Sequence, residues 1–276
     1  MLRLLVAEGN TSDGRRRIAE WAGATPAESY ADVLRKIAAG AQVDIFAPAD
    51  EGATLNAPLD AYHGIAITGS SLNIYRREAA SLRQIDFVRE VFARAIPMFG
   101  SCWGLQLATV AAGGEVELNP QGREVAFARK IILTEAGRGH PMHRWRAPAF
   151  DAPAIHSDVV TLLPQGATIT AWNAMCEVQA AEIRFGSGVF WGVQYHPEFR
   201  LHDVAAIIRR YGEKLVVEGF FKDLAELEQY AADLATLEAD PKRRDIAWRL
   251  GLGEDILDDR IRLSELSNWI THLARR

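Results

Sequence analysis

The sequence predicts an α/β fold: an open, mostly parallel sheet with helices on both faces, followed by a helical C-terminal extension. Three observations carry this expectation. The chain opens as strand, helix, strand and goes on alternating apolar runs with helix-period segments, which is how βαβ units read. Beyond Gly113 the pattern changes to short strand-like runs broken by Gly, Pro and Asn. From His202 onward almost everything has helical periodicity.

The elements follow in order. Residues 2–7 read as a buried strand, 27–39 as an amphipathic helix and 43–47 as a second strand. Residues 63–68 make another short strand that runs into Thr68-Gly69-Ser70-Ser71. Residues 78–95 carry Leu82, Ile85, Val88, Val91 and Phe92 on one helical stripe. A strand over 96–99 and a Leu- and Ala-rich helix over 103–112 come next. The later runs 124–133, 178–184 and 188–195 are expected as antiparallel additions to the main sheet. Pro241 and Gly251 to Gly253 should break the terminal helices.

With 276 residues, 49% of them hydrophobic, the chain can bury a substantial core. Its net charge is -5 and its basic residues are dispersed, so nothing favours nucleic acid or an anionic membrane as a partner. The apolar opening breaks at Glu8, too short for a signal peptide or a membrane span. Only two cysteines occur, Cys102 and Cys176, far apart in sequence, which points away from a disulfide framework or zinc cluster. A reducing cytoplasm is the expected setting, and no metal or organic cofactor is expected.

Cys102 stands in Phe99-Gly100-Ser101-Cys102-Trp103-Gly104, between an apolar strand and a helix. A nucleophile framed by glycines at such a junction sits on a sharp bend with its side chain exposed to substrate. The positive end of the helix dipole favours the thiolate, and the Trp103 N–H could bind a developing oxyanion. Cys176 lies in Asn-Ala-Met-Cys-Glu without that frame and reads as a packing residue.

A cysteine nucleophile needs an imidazole to take and return a proton, and commonly a third group to orient it. An apolar strand runs into His196, Pro197 fixes the backbone after it, and Glu198 follows two residues on. His156 is the rival base, since Asp158 could orient it in the same way. His63, His140, His143, His202 and His272 lack a comparable frame.

Gly100-Ser101-Cys102-Trp103-Gly104-Leu105-Gln106 and His196-Pro197-Glu198 resemble the G-x-C-x-G-x-Q and H-P-E signatures of class I, or triad-type, glutamine amidotransferases. The resemblance implies that Cys102 is the nucleophile, His196 the general base and acid, and Glu198 the orienter. Thr68-Gly69-Ser70-Ser71 resembles the family's oxyanion loop, although the usual form has paired glycines followed by proline. By the same resemblance Gly69, Ser70 and Trp103 hold the oxyanion, while Gln106, His156, Ser157 and Asp158 border the glutamine pocket. His156 thereby becomes a wall of the site rather than its base. The chain is similar to stand-alone proteins described as GMP-synthase-like amidotransferases, and it lacks a segment resembling the P-loop of an ATP pyrophosphatase domain.

The expected organisation is an amidotransferase domain over 1–218 and a helical extension over 219–276. Two functions fit the motifs. One is a glutaminase passing ammonia to a separate synthetase subunit. The other is a self-sufficient γ-glutamyl hydrolase or peptidase; a non-catalytic binding module is the remaining alternative. In the tail, Leu224, Leu227, Leu234 and Leu237, then Leu266, Trp269, Ile270 and Leu273, recur at helical spacing. These faces are expected to pack on the catalytic domain, with docking or homo-oligomerisation as the competing use.

Overall fold

Strand β1 (Arg3–Ala7) directs Leu4 and Val6 to one face of the sheet and Leu5 and Ala7 to the other, and both pairs are buried. That alternation divides the interior into two cores, one on each face. The computed structural model describes residues 1–275. After β1 come α1 (Ser12–Ala22), α2 (Pro26–Ile37), β2 (Gln42–Phe46), β3 (Gly64–Ile67) and α3 (Ala79–Ala93). Then β4 (Met98–Ser101) leads directly into α4 (Trp103–Ala111). The sequence gives α2 a firm start: Thr25 and Glu28 form a reciprocal capping box and Pro26 occupies the first turn.

The second half adds β5 (Glu115–Leu118), β6 (Phe127–Leu133), α5 (Glu135–Gly139), β7 (Ala149–Pro153), β8 (Asp158–Leu162), β9 (Ala167–Trp172), β10 (Ala180–Phe185) and β11 (Gly188–Val193). The nine-stranded sheet has the order β2-β1-β3-β4-β11-β10-β9-β6-β7, and β5 pairs with β8 in a separate small sheet. From β2 to β11 every neighbour is parallel; from β11 outward every neighbour is antiparallel. The open α/β sheet with a parallel half, antiparallel additions and helices on both faces is therefore as expected.

Several boundaries differ from the sequence reading. The run 124–133 is a strand only from Phe127, because Glu124 forms an isolated bridge with His156. The sequence reading marked neither α1 nor the strands β5, β7, β8 and β9. Gly14 is the only fully buried residue of α1, and β5 buries only Val116, so neither segment carries a clear apolar stripe.

Past β11 the chain is helical: α6 (Leu201–Val217), α7 (Leu224–Ala239), α8 (Arg244–Leu250), α9 (Glu254–Leu257), α10 (Asp259–Arg262) and α11 (Ser264–Leu273). Leu227, Leu234 and Leu237 of α7 share a third core with Leu201, Val204 and Ile208 of α6. Leu266, Trp269, Ile270 and Leu273 of α11 join the core that holds Leu4, Tyr30 and Phe99. Gly64 is required beneath this helix, since a Cβ there would lie 2.5 Å from Leu273 Cδ1 and 2.9 Å from Trp269 Cζ2. Most of the tail's apolar stripe is thus packed within the chain, while Leu224 stays exposed. Among the described residues no helix is long and apolar enough to cross a membrane.

Candidate active site

The edge formed by the carboxyl ends of β1, β3, β4 and β11 gathers the candidate residues, as open α/β sheets do with their ligand sites. Cys102 links β4 to α4 with φ 50° and ψ -97°, a backbone conformation that costs a non-glycine residue about 1–3 kcal/mol. Neighbours hold it there. Its N–H donates to Val193 O at 2.7 Å and its carbonyl accepts from Gln106 N at 3.1 Å. Both framing glycines are needed for close approach: a Cβ on Gly100 would lie 2.8 Å from Gly104 Cα, and one on Gly104 2.9 Å from Ile67 O.

His196 follows β11, with its backbone N–H donated to Pro153 O at 2.7 Å. Nδ1 lies 2.7 Å from Glu198 Oε1, and the ring stacks on Phe199 with centroids 4.0 Å apart. Burial alone would lower the His196 pKa, but the Glu198 carboxylate, the Cys102 side chain beside the ring and the hydrogen bond to Glu198 push it up to about 10. The site therefore favours the imidazolium.

Glu198 is held from behind as well. Its Oε2 accepts from Ser101 Oγ at 2.9 Å, and Ser101 Oγ is 3.2 Å from the hydroxyl of Tyr30 on α2. Ser101, Tyr30 and Glu198 are all buried, so the carboxylate has a fixed position facing the imidazole. Sequence reasoning did not assign Ser101 or Tyr30 a role. Its position next to Cys102 was visible, but its partner lies 97 residues away.

Gly69 fits its place because a Cβ there would stand 2.5 Å from His196 Cε1. The N–H groups of Gly69, Ser70 and Trp103 meet no acceptor among the described residues. A polar brace after β1 holds this loop. Asn10 Nδ2 donates to Gly69 O at 3.1 Å, and Asn10 Oδ1 accepts from Ser71 N at 3.0 Å. Buried Glu8 in turn accepts from the Asn10 backbone and side chain and from Ala27 N, and its pKa is raised by burial. The sequence signal for this brace was two polar residues, Glu8 and Asn10, at the carboxyl end of an apolar strand.

Cys102, His196, Glu198, Gly69 and Ser70 share the wall of one cavity of about 100 Å³, open to solvent. Gln106, His156, Ser157 and Asp158 do not line it. Gln106 Nε2 donates to Asp158 O and Gln194 Oε1 at 3.1 and 3.2 Å. His156 is paired with Glu124 Oε2 at 2.8 Å and with Asp158 O at 3.1 Å. Asp158 accepts from Asn73 Nδ2 at 2.7 Å and from Ser157 Oγ at 3.2 Å. Their hydrogen bonds go to one another and to Gln194, Glu124 and Asn73, a network beside the elbow in which Gln106, His156 and Asp158 are buried. Trp103 is also fully buried, its indole N–H donated to Gln84 Oε1 at 2.8 Å. Cys176 donates to Val178 O, and burial pushes its thiol up to about 12, which leaves it unreactive.

The sequence matches the family model described as glutamine amidotransferase class-I over residues 27–210. The chain belongs to the class I glutamine amidotransferase family. A γ-glutamyl-L-1-hydroxyisopropylamide hydrolase of Pseudomonas sp is 40% identical to this family member over 99% of the chain and 93% of its own length. A glutamine-hydrolysing GMP synthase of Nitrosomonas eutropha is 37% identical over 49% of the chain, but only 25% of that synthase is covered. A glutamine amidotransferase structure from Thermotoga maritima superposes with a TM-score of 0.68 at 17% identity, covering 100% of this chain and 99% of the other. Family membership, together with full-length similarity to a hydrolase, makes this class I amidotransferase relative an enzyme, a cysteine-dependent hydrolase.

Proposed function

We propose that the protein is a self-sufficient γ-glutamyl amide hydrolase that releases glutamate and an amine larger than ammonia. The observation that carries this reading is the apolar part of the lining of the cavity that holds Cys102 and His196. A general acid must sit beside the nitrogen it protonates, so substituents on a leaving amine extend past His196. Ile18, Ala22, Pro26, Ile207 and Phe199, which stacks on the His196 ring, line the cavity and offer apolar surface that ammonia alone would not need. The full-length similarity to a γ-glutamyl amide hydrolase supports the same reading.

In this mechanism the Cys102 thiolate attacks the γ-carbonyl carbon, and the N–H groups of Gly69 or Ser70 and Trp103 receive the oxyanion. Imidazolium His196 gives its proton to the departing nitrogen as the C–N bond breaks. The amine leaves a γ-glutamyl thioester on Cys102. Water then attacks the thioester, His196 takes the water's proton, and cleavage of the C–S bond releases glutamate. Glu198, fixed by Ser101, keeps the Nδ1 proton in place so that Nε2 faces the chemistry.

The test compares glutamine with γ-glutamyl isopropylamide, measuring glutamate together with ammonia or amine. The larger amide should give at least about a tenfold higher kcat/KM, in keeping with the burial of its extra carbons. Turnover confined to glutamine and dependent on an added synthetase would instead favour an ammonia-supplying subunit.

A further inference from the structure

We infer that Arg210 recognises a carboxylate on the amine half of the substrate, so that the preferred amides are those γ-glutamyl forms with amino acids. This rests on the γ-glutamyl amide reading above. Asp203, Ile207, Arg210 and Tyr211 all line the cavity from α6, at the spacing of one helix face. Arg210 thereby lines the same cavity as His196 and Phe199.

The other ionisable groups of this wall already have partners. Glu198 is paired with His196 and Ser101, and Tyr30 with Ser101. Asp203 accepts the Arg200 N–H at 2.8 Å and stands 3.7 Å from the Arg200 guanidinium. Arg210 is different. Its guanidinium lies 5.2 Å over the Tyr211 ring, and no carboxylate pairs with it among the described residues. A guanidinium cannot shed its charge, and its fork of donors matches a carboxylate. In this cavity it is the group that a free carboxylate would seek.

Three substrates isolate the effect, because they differ at one position of the amine: γ-glutamyl-L-alanine carries a carboxylate, γ-glutamyl-L-1-hydroxyisopropylamide a hydroxymethyl group, and γ-glutamyl isopropylamide a methyl group. All three keep the glutamyl α-carboxylate. The wild-type protein should prefer the acid over the isopropylamide by about tenfold to a hundredfold in kcat/KM, mainly through KM. In Arg210→Met that ratio should collapse toward one, and Arg210→Lys should retain part of it. A wild-type preference for either neutral amide would overturn the assignment. So would an equal loss on all three substrates in Arg210→Met, which would place the contact on the glutamyl α-carboxylate. Failure to turn over any of the three while glutamine is hydrolysed would sink the γ-glutamyl amide reading itself, a result separable from loss of the acid preference alone.

Discussion

Glu198 has two oxygens and two tasks. One oxygen raises the basicity of His196, and the other is tied to Ser101 and through it to Tyr30. In Glu198→Gln the charge that raises the imidazole pKa is lost while burial still lowers it, so the imidazolium is given up at lower pH. The alkaline fall of kcat/KM should therefore move to lower pH, which a pH–rate profile would read. Ser101→Ala removes the hydrogen bond without removing charge. Its kcat should fall by about tenfold with KM held, the cost of one charge-assisted hydrogen bond on a group that orients the base. An unchanged kcat in a folded Ser101→Ala protein would argue against this support. Cys102, His196 and Glu198 were legible in the sequence as candidates because each sits in a short local pattern. Ser101, Tyr30, Asn10 and Arg210 were not, because their meaning comes from partners or cavity walls brought together only by the sheet.

Helix α11 shows the same contrast for elements. Its apolar stripe was readable, yet the polar residue that anchors it was not. Glu265 is fully buried and accepts from Arg146 at 2.8 and 2.7 Å and from Tyr195, the residue before His196, at 2.9 Å. Burial would raise its pKa, but the Arg146 charge, with His143 contributing, holds it at about 2. The folded pKa lies below the ordinary 4.5, so this stabilisation is present above that value and is lost as pH falls through about 2. Glu265→Gln leaves a buried guanidinium without its counter-charge and should cost about 3–5 kcal/mol, measured by denaturant unfolding. A change below about 1 kcal/mol would show that α11 is held by apolar contact alone. The parallel strands and their helices were legible because both faces are covered and the periodicity is strong. Helix α1 and strand β5 were not, since each buries very little of its surface.

At the scale of the whole molecule, the parallel half of the sheet sets the elbow and the imidazole side by side on neighbouring strands, β4 and β11. The Gly69–Ser70 loop, proposed to receive the oxyanion, follows the next strand over, β3. Helix α11 packs on the sheet face that also carries α2, and the C-terminal segment braces the histidine segment, with Tyr195 held by Glu265 and Pro197 O by Arg262 Nε at 3.3 Å. Catalytic geometry is thus a property of the chain as folded, including helices outside the 27–210 region that matches the family. The most direct test of the central claim is intact-protein and peptide mass spectrometry after rapid quenching during turnover of γ-glutamyl isopropylamide. We predict one γ-glutamyl group attached to the peptide containing Cys102, and neither adduct nor amine release in Cys102→Ala. Amine release by Cys102→Ala at the wild-type rate, or an adduct on another residue, would contradict the account.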